Sequence, residues 1–198
     1  MLNPVKNIMI VGVGGQGTLL ASKLLGKAFV EKGFDVKVSE VHGMSQRGGS
    51  VVTYVRYGEK VYSPVIDKGE ADIIISFEQL ESARWLGFLK PDGVLISNTQ
   101  KIDPMPVITG AATYPDDILQ SIRQKDINII EVDALGLAKK AGSPKVTNVV
   151  LLGVAAHFLG FDKPTWIDVI SSTVPPKTVE INKRAFEIGY AEIANNAH

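Results

Sequence analysis

The sequence has 198 residues, 45% of them hydrophobic, which is typical of a globular protein with a substantial core. Lysine and arginine together number 21, as do aspartate and glutamate, so the zero net charge gives no general attraction to nucleic acid or to an anionic membrane. The absence of cysteine excludes disulfides and thiolate-held iron–sulfur or zinc sites within the chain. With neither signal-peptide features nor an apolar run of about 20 residues, we expect a cytoplasmic protein.

The N-terminal part predicts a strand, a glycine-rich turn, a helix and a second strand. Residues 6–11 are apolar at nearly every position, as in a strand buried on both faces of a parallel sheet. After the turn at residues 12–17, residues 18–32 have helical spacing, and Gly33 suits a helix C-cap. With a second strand at residues 36–41, these elements predict a βαβ unit.

The rest of the chain alternates between strand and helix patterns. Residues 42–49 form a loop, and two β-rich segments, 50–57 and 61–63, flank Gly58-Glu59-Lys60 as a predicted hairpin. Further strands are predicted at 72–77, 94–97 and 127–132, a turn at Pro91-Asp92-Gly93, and helices at 79–89, 116–124, 146–159, 165–172 and 177–194. This alternation predicts one three-layer α/β/α Rossmann-like domain over residues 1–198, with a largely parallel sheet and an antiparallel hairpin.

The last predicted helix carries apolar residues on two sides. One side holds Ile181, Ala185 and Ile188, and the other holds Val179, Phe186, Tyr190 and Ile193. An ordinary surface helix needs one apolar stripe, so two stripes indicate either two internal contacts or one internal contact and one with another molecule.

The glycine-rich turn matches G-x-G-x-x-G between a strand and a helix. Gly12 permits a tight turn, Gly14 permits a phosphate to approach the backbone, and Gly17 permits close packing of helix and strand. Backbone N–H groups and the helix dipole favour an anion there. Candidate phosphate-binding residues are therefore Gly12, Gly14, Gly15, Gln16 and Gly17, and the alternative is a tight turn without a ligand.

The same motif raises an independent NAD(P)-binding oxidoreductase or sensor as a rival interpretation. Glu40 ends the second predicted strand, where an acid binds the ribose hydroxyls in dinucleotide enzymes. Against this stand the lack of a distinct second domain and the presence of only three histidines, His42, His157 and His198. We expect His157, within an apolar helix, to be a core or interface residue, and Glu40 to be solvated or a structural hydrogen-bond partner.

A second candidate loop holds Ser45, Gln46, Arg47, Gly48 and Gly49. The Arg47 guanidinium next to two glycines suits phosphate, pyrophosphate or carboxylate. Both candidate loops follow strands, and the carboxyl ends of strands form the ligand edge of an α/β sheet, so Arg47 is expected to face the same crevice as the glycine-rich turn. Alternatively, Arg47 pairs with a nearby acid and the glycines serve a turn.

Three stretches in combination resemble the gamma-type subunit or domain of the 2-oxoacid:ferredoxin oxidoreductase family. They are GVGGQG, EVHGMSQRGGSVVTYVRYG and SPVIDKGEADIIISFEQLESARWL, within a likeness that runs along nearly the whole chain. The variant HGMSQRGG is most similar to the small subunit of the family's indolepyruvate members.

The resemblance implies a subunit of a heteromeric complex that decarboxylates an arylpyruvate oxidatively to an aryl-acetyl-CoA, with reduction of ferredoxin. It implies that thiamine diphosphate, Mg and iron–sulfur clusters belong to a larger alpha subunit, and that this chain holds no catalytic residue or metal site. It also implies a contact with coenzyme A through both glycine-bearing loops, with Arg47 as the main cation. A purely structural subunit with an empty turn is the remaining alternative, and a homodimer of the isolated chain is possible.

Overall fold

The computed structural model describes residues 5–42 and 49–196, which form a six-stranded sheet covered by helices on both faces. The strands are β1 (Lys6–Val13), β2 (Asp35–His42), β3 (Ser50–Gly58), β4 (Ala71–Ser76), β5 (Leu89–Asn98) and β6 (Ile129–Val132). The helices are α1 (Thr18–Glu31), α2 (Gln79–Trp85), α3 (Met105–Ile108), α4 (Ile118–Arg123), α5 (Ala134–Ala141), α6 (Thr147–Ala156), α7 (Lys163–Thr173) and α8 (Val179–Asn196). In the described part of the chain, no helix combines the length and the apolar character needed to cross a membrane.

The sheet has the order β2–β3–β1–β4–β5–β6. Strands β1, β4, β5 and β6 are parallel, while β3 runs antiparallel to both of its neighbours. This confirms the predicted α/β fold with a largely parallel sheet and an antiparallel hairpin. The parallel strands end together at one edge, called the carboxyl edge below, and begin together at the opposite amino edge.

The antiparallel hairpin is formed by β2 and β3, so the predicted pairing of residues 50–57 with 61–63 was wrong. Strand β3 pairs along its whole length with β2 on one side and β1 on the other. The Val61 N–H instead donates to the Asp35 carboxylate at 3.0 Å. Because β3 lies between β1 and β2, the predicted βαβ unit is split in the sheet.

Several other element boundaries differ from the sequence prediction. Pro91, Asp92 and Gly93 lie within β5, where the pairing register with β4 shifts, so they do not form a separate turn. Helix α2 ends at Trp85 and continues as a 3₁₀ turn over Leu86–Phe88. Helices α3 and α5 were not predicted, because they are only four and eight residues long.

Helix α6 is buried on every side because it lies between the sheet and α8. A Cβ atom at Gly153 would lie 2.3 Å from the Phe186 carbonyl oxygen, and one at Gly189 would lie 2.1 Å from the Val150 carbonyl oxygen. Glycine on both helices therefore permits backbone contact between them. His157 contributes to the same contact, as its Nε2 lies 2.6 Å from the Tyr190 carbonyl oxygen and its ring stacks on the Tyr190 ring.

Both apolar sides of α8 have internal contacts. Ala185 and Phe186, one from each side, are completely buried, and the remaining predicted stripe residues pack against the same core. The two stripes therefore reflect the covering of α6, with α5 and α7 alongside, which is the internal alternative of the sequence prediction.

Candidate functional site

The glycine-rich turn lies at the carboxyl edge, between the end of β1 and the start of α1. Gly15 has φ +97° and Gly17 has φ +85°, conformations that cost about 1–2 kcal/mol for a residue with a Cβ atom. Gly17 occupies the N-cap position of α1. Two glycines with positive φ therefore turn the chain from β1 into α1.

Gln16 closes this turn with its side chain. Its Oε1 accepts from the Val13 N–H at 2.7 Å, and its Nε2 donates to the Phe77 carbonyl at 2.9 Å. A Cβ atom at Gly12 would lie 2.8 Å from Gln16 Oε1 and 2.9 Å from the Cβ of Phe77. Gly12 therefore lies within β1 and makes room for these two side chains, whereas the sequence interpretation assigned it to the turn itself.

Gly17 also has a different packing partner from the one expected. A Cβ atom there would lie 2.7 Å from Nδ2 of Asn148 on α6, and that same Nδ2 donates to the Gly17 carbonyl at 3.1 Å. Gly17 thus brings α1 close to α6, rather than close to the strand.

Four of the predicted site residues, Ser45, Gln46, Arg47 and Gly48, lie outside the described residues. Gly49, which follows them, is placed, and its carbonyl accepts from the Gly14 N–H at 3.0 Å. Ser50 then pairs with Val13 in the sheet. The chain that leaves the Arg47 segment therefore contacts the glycine-rich turn directly.

Two open clefts share Gly15 and Gly17. The first, called the β2-side cleft, has a volume of about 420 Å³. Its lining residues are Gly14, Gly15, Gly17, Thr18, Leu19, Glu40 and Val51. The second, called the α6-side cleft, has a volume of about 480 Å³. Its lining residues are Gly15, Gln16, Gly17, Gln100, Leu135, Pro144, Lys145 and Thr147. Both volumes lie in the range of small-molecule sites.

The α6-side cleft has the better chemistry for an anion. It contains the exposed ammonium group of Lys145 and the amide of Gln100, whereas the Thr147 hydroxyl already donates to the Pro144 carbonyl at 2.7 Å. The Gly14 N–H donates to the Gly49 carbonyl, and the Gln16 N–H donates to the Val13 carbonyl. The N–H groups of Gly15, Gly17 and Thr18 donate to no acceptor within residues 5–42 and 49–196. Within the described residues, the groups of this cleft that could donate to an anion are therefore the N–H groups of Gly15 and Gly17 and the ammonium of Lys145.

Sequence reasoning missed Lys145, Gln100 and Thr147. They are far from the turn in sequence and reach it only because β5, α5 and α6 end or begin at the carboxyl edge. The nearest sequence signal was Ser143-Pro144, a helix-start pattern in which the Ser143 hydroxyl accepts from the Lys145 N–H.

The inserted strand weakens the dinucleotide interpretation. In a dinucleotide fold, the acid that binds ribose ends the strand adjacent to the first strand. Here Glu40 lies on β2, opposite Thr53 of β3, so its strand is two spacings, about 10 Å, from β1. Glu40 does line the β2-side cleft, but from the far side of β3.

The described residues were also compared with the requirements of a metal site. Within residues 5–42 and 49–196, no three or more His, Asp or Glu side chains are grouped to hold a metal ion.

Comparison with known proteins decides the family. The family model described as pyruvate ferredoxin/flavodoxin oxidoreductase matches residues 7–192. This chain belongs to that family. The indolepyruvate oxidoreductase subunit IorB of Thermococcus kodakarensis is 46% identical over 188 residues, which cover 92% of this chain and 93% of that protein. The predicted resemblance to gamma-type subunits is therefore confirmed, and the chain is an oxidoreductase subunit of this family.

Solved structures have the same fold. The gamma subunit of a keto/oxoacid ferredoxin oxidoreductase from Geobacter sulfurreducens has a TM-score of 0.72 and 23% identity, with 96% of this chain and 99% of that chain covered. The 2-oxoglutarate:ferredoxin oxidoreductase from Magnetococcus marinus, solved with 2-oxoglutarate, coenzyme A and succinyl-CoA bound, has a TM-score of 0.76 and 19% identity. The likeness covers 96% of this chain and 31% of that longer chain.

Proposed function

We propose that this chain is the small, non-thiamine-binding subunit of a complex that oxidises indolepyruvate or related arylpyruvates. In the proposed reaction, the 2-oxoacid loses CO2, its acyl group forms a thioester with coenzyme A, and two electrons pass to ferredoxin. The identity to an indolepyruvate oxidoreductase subunit over nearly the whole length of both chains is the observation that carries this proposal.

In this proposal, the redox chemistry belongs to a larger alpha subunit. Iron–sulfur clusters are held mainly by cysteine thiolates, and this sequence has no cysteine. We assign thiamine diphosphate, Mg and the iron–sulfur clusters to that partner, through which ferredoxin is reduced. The cytoplasmic location and the single domain over residues 1–198 belong to the same proposal.

The contribution of this chain is a binding surface for the phosphates of coenzyme A at the carboxyl edge. Coenzyme A carries a 3′-phosphate and a diphosphate, so a cation and several N–H donors suit it chemically. The α6-side cleft offers Lys145 and the N–H groups of Gly15 and Gly17. From the glycine-rich turn, the proposed site takes Gly15 and Gly17 as donors. It adds Lys145 and keeps the second predicted loop, with Arg47 as a second cation.

Reconstitution of the complex tests the proposed function. The chain is co-expressed with the alpha subunit encoded in the same organism, and arylpyruvate-dependent reduction of ferredoxin is measured with coenzyme A present. We expect activity from the complex and none from either subunit alone. Full activity from the alpha subunit alone would refute the role of this chain, and preference for a non-aromatic 2-oxoacid would refute the substrate assignment.

A further inference from the structure

Glu81 is a carboxylate buried beside the site but outside both clefts. It lies on α2, on the opposite face of the sheet from α1, and only 3% of its surface is exposed. Its Oε2 accepts from the Ser50 hydroxyl and, at 3.1 Å, from Nε1 of Trp85, while its Oε1 accepts from Nε of Arg84 at 3.0 Å. The carboxylate therefore has a donor for each oxygen.

The burial of this group requires an explanation. A carboxylate taken out of water costs several kcal/mol before its partners compensate, and replacing a buried ion pair by apolar residues is often neutral or stabilising. The contacts of Glu81 are directional hydrogen bonds. Two of its partners also lie close to each other, since Nε1 of Trp85 is 3.4 Å from the Ser50 hydroxyl oxygen. The network thus fixes the position of Ser50.

Ser50 connects this network with the glycine-rich turn. It is the first residue of β3 and lies opposite Val13 in the sheet. The preceding residue, Gly49, accepts the Gly14 N–H at 3.0 Å, and the Val13 N–H is held by Gln16 at 2.7 Å. A displacement of Ser50 would therefore move Val13 and Gly14, where the chain leaves β1 and enters the turn.

We propose that Glu81 is a positioning residue that acts through Ser50 and Gly49 to hold the glycine-rich turn in its ligand-binding shape. This inference rests on the proposed function, in which that turn contacts coenzyme A. Glu81 touches no ligand itself. Its effect is expected on the affinity for coenzyme A and not on the chemical step, which takes place on the partner.

Four variants distinguish this positioning role of Glu81 from a general stabilisation of helix α2. Glu81→Ala and Ser50→Ala each remove the Glu81–Ser50 hydrogen bond, and Ser50→Ala does so by deleting a single hydroxyl group. Glu81→Gln keeps an amide oxygen that accepts from Ser50 and Trp85. Arg84→Ala is the matched control, since it removes the half-exposed partner of Glu81 and leaves the contact with Ser50 intact.

Steady-state kinetics of the reconstituted complex provide the first readout. We expect Glu81→Ala and Ser50→Ala to raise the KM for coenzyme A about five- to tenfold, less than the full effect of one lost charged hydrogen bond because the bond acts on the turn and not on the ligand, with kcat changed less than about twofold. Glu81→Gln and Arg84→Ala should stay near the wild-type KM. The double variant Ser50→Ala/Glu81→Ala should be no worse than Glu81→Ala alone, because both changes break the same link.

Amide hydrogen exchange of the full chain provides a second readout that needs no activity. The Gly14 N–H should exchange faster in Glu81→Ala and Ser50→Ala, because both changes loosen the hydrogen bond from Gly14 to the Gly49 carbonyl. In Arg84→Ala its exchange should not change. An unchanged KM for coenzyme A together with unchanged Gly14 exchange in Ser50→Ala would overturn the inference. Equal effects of Arg84→Ala and Glu81→Ala would also overturn it, since they would indicate a general loss of α2.

A Lys145→Ala variant distinguishes failure of this inference from failure of the proposed site. If Lys145→Ala raises the KM for coenzyme A and Glu81→Ala does not, the site stands and the positioning role of Glu81 is wrong. If Gly14 exchange responds to Glu81→Ala but neither variant changes the KM, the coupling stands and the assignment of coenzyme A to this turn is wrong.

Discussion

The two edges of the parallel sheet use charge in opposite ways. At the amino edge, Asp72 accepts from the Asn7 N–H at 2.7 Å and from the ammonium groups of Lys90 at 2.6 Å and Lys6 at 3.3 Å. At the carboxyl edge, the exposed Lys145 ammonium and the N–H groups of Gly15 and Gly17 face open clefts. These polar groups of the amino edge are paired within the fold, whereas these donors of the carboxyl edge have no acceptor within the described residues.

The largest expected change in stability comes from Gly17→Ala at the carboxyl edge. The new Cβ atom meets both the positive φ and the Asn148 side chain, so we expect the free energy of unfolding to fall by about 2–4 kcal/mol. Gly33→Ala is the matched control, because Gly33 has nearly the same φ, +86°, and nothing within 4 Å of the added atom. It should cost only about 1–2 kcal/mol.

Denaturant unfolding of both alanine variants measures the difference between them. Since the two glycines have nearly the same φ, that difference reports the contact between Gly17 and α6. Equal losses in the two variants would show that this contact does not constrain the turn.

We expect a smaller loss of stability from Asp72→Asn at the amino edge. Burial alone would raise the pKa of Asp72, but the hydrogen bonds from Lys90 and from the Asn7 backbone outweigh it and lower the pKa below its ordinary value of 3.8. Asp72 therefore stabilises the fold above its ordinary pKa, and this contribution is lost as the pH falls through the lowered pKa. We expect Asp72→Asn to cost about 1–2 kcal/mol at neutral pH, since the ion pairs are partly exposed to solvent.

The pH dependence of unfolding checks this second prediction. The Asp72→Asn variant should lose less stability than the wild type on acidification below about pH 4, and the KM for coenzyme A in the complex should not change. A raised KM would mean that the amino edge also takes part in binding.

The sequence predicted the elements whose signals are local. The apolar run of β1, the glycines of the turn and the helical spacing of α1 lie within one stretch, so the strand–turn–helix unit and its place at the carboxyl edge were predicted. The position of Gly33 at the helix end was predicted for the same reason, as its N–H bonds to the Val30 carbonyl.

Long-range pairing could not be predicted in this way. A β-rich segment at residues 50–57 has no local signal that selects residues 36–42 as its partner over residues 61–63. The position of β3 between β2 and β1 depends on this pairing and was therefore not predicted either. Lys145 and Gln100 belong to the candidate site only through the fold. Arg47 lies outside the described residues, so its place in the crevice remains a prediction.

The central claim is that the carboxyl edge of this subunit binds coenzyme A for the whole complex, and one pair of variants tests it most directly. Lys145→Ala and Lys90→Ala each remove one lysine, the first at the carboxyl edge and the second at the amino edge. In the reconstituted complex, we expect Lys145→Ala to raise the KM for coenzyme A about three- to tenfold and to change the free energy of unfolding by less than about 0.5 kcal/mol. Lys90→Ala should leave that KM unchanged and destabilise the chain, whereas an unchanged KM in Lys145→Ala, or an equal rise in both variants, would contradict the claim.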